Sequence, residues 1–241
     1  MVGYILVLIV GLAAGTISGI IGTGSSIMLL PVLVYTFGPK QAVPIMGLAA
    51  VLSNLAKLLA WRREVQWRAV AAYSATGIPA AALGAKTLIS LPPHIVDFAL
   101  GIFFILMVPV RHWLAGKNIK IGLVQLAIIG AVIGYLTGIV VSTGPLSVAA
   151  FTFYGLDQGA FLATEAASSL AIFISKVLTF HELGAFPVDA MTKGLIVGAS
   201  LMLGSFVGKY AVINMSKNTF RLLLDGLLVV SGIVLLSEAA G

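Results

Sequence analysis

Two short runs of glycine, serine and threonine have residue types that could bind an anion. They cover residues 22–26 and 142–145, and each interrupts a long apolar stretch. A helix that restarts after such a run turns free backbone N–H groups and the positive end of its dipole toward the interruption. Serine and threonine hydroxyls add donors and can N-cap the new helix. Two such ends facing each other could hold an oxyanion without any arginine. The candidate ligands are Thr23, Gly24, Ser25, Ser26, Ser142, Thr143 and Gly144.

Three ionisable residues lie inside apolar stretches and could act on the same anion. Lys57 and Lys176 are separated by 119 residues and precede the two polar hinges of the chain. They could attract the anion by charge, or their long side chains could reach the membrane surface and be structural. Glu165 is an acid about two turns inside a predicted segment. It could carry a coupled proton or pair with Lys176, or it could be shallow enough to reach water.

Neutral polar side chains accompany these charges. Asn54, Ser168 and Ser169 could line the same cavity, or they could form hydrogen bonds between helices. The chain has no cysteine, and the patterns H-E-x-x-H and G-x-S-x-G are absent from it. We therefore expect no enzyme activity, no metal site and no cofactor.

The composition predicts an all-α integral membrane protein. Hydrophobic residues make up 60% of the chain and charged residues only 9%, whereas a soluble domain carries roughly a quarter charged residues. One crossing needs about 20 apolar residues. The apolar stretches predict about eight transmembrane segments, of which the first and fifth are broken near the membrane midplane. The predicted segments are 3–37, 40–60, 69–89, 95–114, 121–155, 157–180, 188–212 and 218–238.

A repeat of about 119 residues indicates an internal duplication. The glycines before the first break recur at this offset before the second break. The matched sets are Gly11, Gly15 and Gly19 with Gly130, Gly134 and Gly138. This four-residue spacing favours close helix packing. We predict two four-segment repeats, 1–117 and 118–241, within one compact transmembrane domain. Duplicated halves are common in secondary transporters, whose binding sites lie at the repeat interface.

The direction of the two repeats depends on the breaks. If each broken segment crosses once, each half has four crossings and the repeats are parallel. If the chain turns back at the break, the repeats are inverted. The pieces after the breaks, 26–37 and 145–155, are too short to cross alone at about 1.5 Å per residue, and this length favours the parallel relation.

The residues around the first break resemble a known family. Residues 15–31 read G-x-x-x-G-x-x-G-x-G-S-S-x-x-x-x-P. The second copy keeps the first two glycines, but it departs further at the break, where residues 142–145 read S-T-G-P, and it has Ala150 where the first copy has Pro31. This pattern in a small eight-segment protein resembles the TauE/SafE family of sulfite and organosulfonate exporters. The family typically carries G-x-G-G-G, and Ser25 and Ser26 replace two of its glycines here. The resemblance implies a multi-pass permease for small sulfur oxyanions in a bacterial or archaeal cytoplasmic (inner) membrane.

These observations together predict a secondary transporter. A sulfur-containing oxyanion, such as sulfite or an organosulfonate, would bind between the two broken helices. The alternatives are an anion-selective channel, in which the breaks form a filter, and a non-transporting membrane scaffold or enzyme. The expected partners are the small anion and the lipid bilayer, with proton or ion coupling and a homo-oligomer left open. We expect no nucleic acid, because the basic residues behind the net charge of +6 lie mainly at segment ends, where membrane topology and anionic lipid explain them.

Overall fold

The regular elements of the protein are helices. The computed structural model describes residues 2–21, 24–115, 120–140, 143–156 and 158–211, together with the single positions Val229, Ile233 and Leu236. Within these residues, nine α-helices and one 3-10 turn at Arg62–Glu64 form the structure. The α-helices are α1 Val2–Ile21, α2 Ser25–Phe37, α3 Pro39–Trp61, α4 Trp67–Ser90, α5 Pro93–Ala115, α6 Leu123–Val140, α7 Gly144–Phe153, α8 Gln158–Glu182 and α9 Val188–Ala211.

Both expected interruptions of the apolar helices are present. The first lies between α1 and α2, and the second lies between α6 and α7. The helices α3, α4, α5, α8 and α9 coincide with predicted segments within a few residues. Segment 8, apart from three single positions, and the candidate ligands Thr23 and Ser142 fall outside the described residues.

Glycine at position 24 allows the first break. Its φ is 108°, in the left-handed region that side chains with a Cβ rarely adopt. Gly24 is the N-cap of α2, and its carbonyl accepts the first helical bond of α2 from the amide of Met28 at 3.1 Å. The chain therefore changes direction and restarts a helix within three residues of the end of α1.

The two glycine ladders bring helices from opposite halves into backbone contact. A Cβ added to Gly15 would overlap the backbone of Leu201 in α9, and one added to Gly134 would overlap the backbone of Gly77 in α4. Such close approach is the usual role of small residues spaced four apart in membrane helices. The predicted packing role of the ladders is confirmed by these contacts, which join α1 to α9 and α6 to α4.

The order of contacts along each pair gives the helix directions. In α1 and α9, Gly11 lies against Ser200 and Gly19 against Ser205, so these helices are parallel. The α3–α9 pair is also parallel, because Gly194 approaches the Ile45 carbonyl and the Ser205 hydroxyl bonds that of Ser53 at 3.3 Å. Helices α1 and α3 therefore run the same way, and α2 between them runs back.

The second half follows the opposite course. In α4 and α6, Gly130 lies against Tyr73 and Gly138 against Gly84, so these helices are parallel. Helix α4 is also parallel to α8, since the amide of Gln66 bonds Thr164 and the hydroxyl of Ser175 bonds the carbonyl of Ile78.

Helices α3 and α8 are antiparallel to each other. Gly47 lies opposite Val177, whereas Lys57 meets Glu165. Helices α6 and α8 therefore run opposite to α1 and α3.

The expected parallel relation of the two halves is therefore wrong for the described helices, which are related by inversion. The length argument assumed that each piece after a break must cross the whole membrane. Helix α2 has 13 residues, about 20 Å at 1.5 Å per residue. It does not need to cross alone, because it returns beside α1 as the second arm of a hairpin.

Apolar surface covers the outside of the helix bundle. Ile9, Val124 and Leu178 are among its exposed large hydrophobic residues, as expected where a surface faces lipid. In the part of the chain that the structure describes, four stretches are long and apolar enough to cross a membrane, namely Gln41–Glu64, Leu123–Val140, Gly159–Glu182 and Val188–Gly208. The count of eight spans and the midplane position of the breaks stay predictions.

Candidate anion site at the helix breaks

The first break presents backbone amides inside the protein. Gly24 and Ser25 are buried, and Ser26 is half-buried. The first amides of α2 have no acceptor within their own helix, and no side-chain oxygen of a described residue caps this end. The expected capping by serine is therefore wrong at this break. The amides remain as donors at the positive end of the α2 dipole.

The second break presents fewer amides. Thr143 is buried and Gly144 is half-buried. The amides of Leu146 and Ser147 both donate to the carbonyl of Thr143, at 3.0 and 3.1 Å. Pro145 has no N–H group, which leaves the amide of Gly144 as the donor of the first turn. Thr143 forms no side-chain capping bond, so its expected capping role is also wrong.

Lys176 stands beside the second break. Its Nζ donates to the carbonyl of Thr137 at 2.6 Å, in the last turn of α6, where helix carbonyls lack partners. The hydroxyls of Thr137 and Thr143 are hydrogen-bonded to each other. Because Thr137 also donates to the carbonyl of Ile133 at 2.7 Å, Thr143 is the donor in that pair. The end of α6, the start of α7 and Lys176 therefore form one cluster.

The charge of Lys176 has no carboxylate counter-ion among the described residues. The residue is 0% exposed, so its expected reach to the membrane surface is wrong. Among the described residues, no carboxylate oxygen lies within 4.0 Å of its Nζ. The Nζ also lies over the ring of Phe180, 5.4 Å from the ring centroid. A buried ammonium group in this setting attracts an anion strongly, because burial leaves little solvent to screen its charge.

Lys57 has a different environment from Lys176. Its Nζ lies 3.9 Å from Oε2 of Glu165, and the two side chains are 6% and 5% exposed. Oε1 of Glu165 accepts a hydrogen bond from Ser169 at 2.7 Å. Both side chains are buried. This contradicts the alternatives in which Lys57 reaches the membrane surface and Glu165 reaches water. The predicted pairing of Glu165 with Lys176 is wrong as well, because Glu165 pairs with Lys57.

Asn54 and Ser168 belong to the same polar region. Asn54 and Lys57 are three residues apart on α3, and Ser168 and Ser169 are three and four residues after Glu165 on α8, so each set shares one helix face. Because Lys57 meets Glu165, the two faces meet. We call Asn54, Lys57, Glu165, Ser168 and Ser169 the central polar cluster.

Several oxygens of the central polar cluster have no hydrogen-bond partner among the described residues. They are Oδ1 of Asn54, Oγ of Ser168 and Oε2 of Glu165. All three residues are at most 4% exposed. Buried polar atoms are nearly always paired with protein, water or ligand. The hydrogen bonds expected between helices for Asn54 and Ser168 are thus not made by these oxygens, and the cluster has unused capacity for water or a polar ligand.

The first break lies at the level of this cluster. Gly19, shortly before the break, packs against Ser205, whose hydroxyl bonds that of Ser53 at 3.3 Å. Ser53 is the neighbour of Asn54 on α3. Since α1 and α3 are parallel, the chain leaves α1 about one turn further on, near the level of Lys57.

The two lysines are too far apart to bind one small anion together. Lys57 pairs with Glu165, and Glu165 and Lys176 are 11 residues apart on α8, or roughly 16 Å at the helical rise of 1.5 Å per residue. Between these levels, α8 carries the buried apolar residues Ile172 and Phe173. The candidate ligands therefore form two polar regions, one near each break, separated by an apolar step.

Two cavities lie away from both breaks. One has a volume of about 340 Å³ and lies near the turn after α8, between Pro44, Leu88 and Phe180. The other has a volume of about 480 Å³ and lies against the outer side of α8, near Ile174 and Leu178. Their lining is mainly apolar, and neither is lined by the break residues.

A comparison with models of protein families identifies the family of the chain. The family model for the sulfite exporter TauE/SafE matches residues 7–235. The chain belongs to the TauE/SafE family. Membership of this transporter family, together with helices that can cross a membrane, makes it an integral membrane protein of the sulfur-compound exporter class and argues against an enzyme. No curated protein and no solved structure matches the chain.

Thr137 is a residue of this TauE/SafE protein that the sequence reasoning missed. It accepts the bond from Thr143 and supplies the carbonyl bound by Lys176. A sequence signal for it exists, because Ser18 occupies the position 119 residues earlier. The hydroxyl of Ser18 is buried and has no partner among the described residues. A polar residue just before each break could therefore have been included among the candidates.

Proposed function

We propose that this TauE/SafE protein is a secondary transporter for a small oxyanion such as sulfite or an organosulfonate. The anion binds at the helix breaks, where backbone amides and a buried lysine converge. Family membership gives the transporter class, and we infer the substrate class and the place where the substrate binds from the site.

The observation that carries the proposal is the environment of Lys176. Burying an ammonium group costs several kcal/mol unless an opposite charge compensates it. Lys176 is fully buried next to the first turn of α7, and no described carboxylate pairs with it. The amide of Gly144 and the dipole of α7 add positive potential at the same place. A bound oxyanion would supply the missing negative charge.

The break between α1 and α2 supplies another binding position, in addition to the one beside Lys176. The amides of Ser25 and Ser26 lie at the start of α2, near the level of Lys57. The start of α2 has more amides without a helical acceptor than the start of α7, whereas Lys176, which no described carboxylate pairs with, lies beside α7. An oxyanion that occupies the two positions in turn would pass the apolar step of Ile172 and Phe173 between them. Inverted halves fit such alternation, because rocking one half against the other can open each position to a different side of the membrane.

A transport assay with purified protein in liposomes tests the proposal. Radiolabelled sulfite is placed outside vesicles that contain excess unlabelled sulfite or methanesulfonate. We expect saturable uptake of label driven by the outward movement of unlabelled anion, since a carrier exchanges substrates across the membrane. Empty liposomes provide the blank. Flux that neither saturates nor shows this counterflow, with unitary conductance steps in planar bilayers, would identify an anion channel instead. The absence of any protein-dependent flux would contradict both functions.

A further inference from the structure

The inference concerns the counter-ion of Lys57 and rests on the proposed transport function. The two lysines occupy equivalent positions in the repeat, but Glu165 accompanies only the first. The position equivalent to Glu165, 119 residues earlier, is Met46, which is buried. Of the two lysines at equivalent positions in the repeat, Lys57 therefore already has a carboxylate beside it.

The geometry of Glu165 leaves one oxygen available for a proton. Ser169 holds Oε1, while Oε2 is the oxygen nearer the ammonium group of Lys57, at 3.9 Å. This distance is longer than a hydrogen bond, and Oε2 has no hydrogen-bond partner among the described residues. A proton could therefore bind Oε2 without breaking a hydrogen bond between Glu165 and any described residue.

The other ionisable groups around this part of α8 do not replace the carboxylate. Tyr73 on α4 interacts electrostatically with Glu165, and its hydroxyl is hydrogen-bonded to that of Ser147. Glu64, in the 3-10 turn, lies against Gly159 near the start of α8. Gly159 is six residues before Glu165 on α8, about 9 Å at the helical rise. Lys57 on α3 is the charged partner within 4.0 Å.

We infer that Glu165 is an internal counter-ion that competes with the transported anion for Lys57, so that anion binding at the first break is accompanied by uptake of one proton on Glu165. Two negative charges sharing one ammonium group in a poorly screened site repel each other. A proton from the aqueous phase that binds Oε2 removes one of these charges and frees Lys57. When the anion leaves, the proton dissociates and the Lys57–Glu165 pair forms again.

Calorimetric titration of the purified protein with methanesulfonate tests this inference. The sulfonate group stays ionised between about pH 5 and pH 8, the range in which buried carboxylates take up protons, so the probe itself carries no proton. Titrations in buffers of different ionisation enthalpy measure the protons taken up with each anion. The wild type can bind methanesulfonate at both breaks. For binding at the first break we expect proton uptake and an affinity that falls up to tenfold per pH unit as the pH rises, whereas binding beside Lys176 should take up no proton.

Glu165→Gln is the informative variant, because glutamine keeps the size and an acceptor for Ser169. We expect it to bind methanesulfonate with no proton uptake and with an affinity that does not depend on pH. Glu64→Gln, which removes a carboxylate outside the cluster, is the matched control and should keep the wild-type proton uptake.

Three results would overturn the inference, and they are distinct from failure of the proposed function. They are wild-type binding without proton uptake, wild-type affinity that is independent of pH, and normal proton uptake in Glu165→Gln. The first two need no variant, so they apply even if Glu165→Gln does not fold. If the wild type shows no binding and no flux of sulfite or sulfonates, the proposed function itself fails.

Discussion

Replacing Lys176 by methionine separates a binding role from a structural one. Methionine has a similar length and no charge, so it removes the ammonium group that lies beside the second break. If Lys176 binds the anion, the variant loses a charge-assisted hydrogen bond worth about 1.5–3 kcal/mol. That loss corresponds to roughly a 10- to 100-fold weaker affinity.

The same substitution should change stability little. Replacing buried ion pairs by apolar side chains of similar volume gains up to about 4 kcal/mol, and we take a gain of this size for Lys176→Met; leaving the carbonyl of Thr137 without its donor costs about 1–3 kcal/mol. These opposing terms are similar in size, so we expect a net change within about 2 kcal/mol. The free energy of unfolding and the sulfonate affinity should therefore respond differently.

Lys57→Met is the matched comparison. It leaves the buried carboxylate of Glu165 without its cation, which costs about 3–5 kcal/mol. At a few degrees per kcal/mol for a protein of this length, the unfolding temperature should fall by roughly 10 °C. The double variant with Glu165→Gln should recover most of this loss, because no unpaired charge remains.

The assays are thermal unfolding in detergent and calorimetric binding of methanesulfonate. The expected pattern is a stable but weakly binding Lys176→Met and an unstable Lys57→Met. Wild-type affinity in Lys176→Met would refute a binding role for this lysine. A loss of stability as large as that of Lys57→Met would show that Lys176 serves mainly to cap α6.

Three further substitutions test the elements around the breaks, and a fourth, at Gly155, is a control. Gly15→Ala should destabilise the protein by about 1–3 kcal/mol, because its Cβ would overlap the backbone of Leu201; an unchanged unfolding temperature would contradict the close α1–α9 contact. Gly24→Ala should cost about 1–3 kcal/mol of stability, because φ is 108° there, and should also weaken sulfonate binding. Gly155→Ala, at φ 94° with open space around it, should cost similar stability but keep full affinity. Thr137→Val should weaken sulfonate binding about fivefold, since it removes the acceptor for Thr143; equal affinity would exclude a positioning role.

The helices and breaks could be predicted because they depend on local sequence. Apolar length, polar linkers and the runs at 22–26 and 142–145 are readable along the chain. The packing role of Gly15 and Gly134 follows from their four-residue spacing. The partner helices of these glycines are distant in sequence, so their identity required the structure.

The direction of the halves could not be predicted in this way. It depends on whether the chain turns back at a break, which is decided by the conformation of single residues such as Gly24. The length of the following piece carries no such information. The pairing of the buried charges could not be predicted from the sequence either, because the partner of Glu165 lies on another helix, α3. Its pairing with Lys57 rather than Lys176 follows from the α3–α8 packing.

The position of a bound anion tests the central claim most directly. Selenite has the shape and charge type of sulfite, and its selenium atom can be located by anomalous diffraction from soaked crystals. We predict an anomalous peak within hydrogen-bond distance of the amides of Ser25 and Ser26, or of Gly144 and the Nζ of Lys176. A fully occupied peak elsewhere, with both breaks free of anion, would contradict the account.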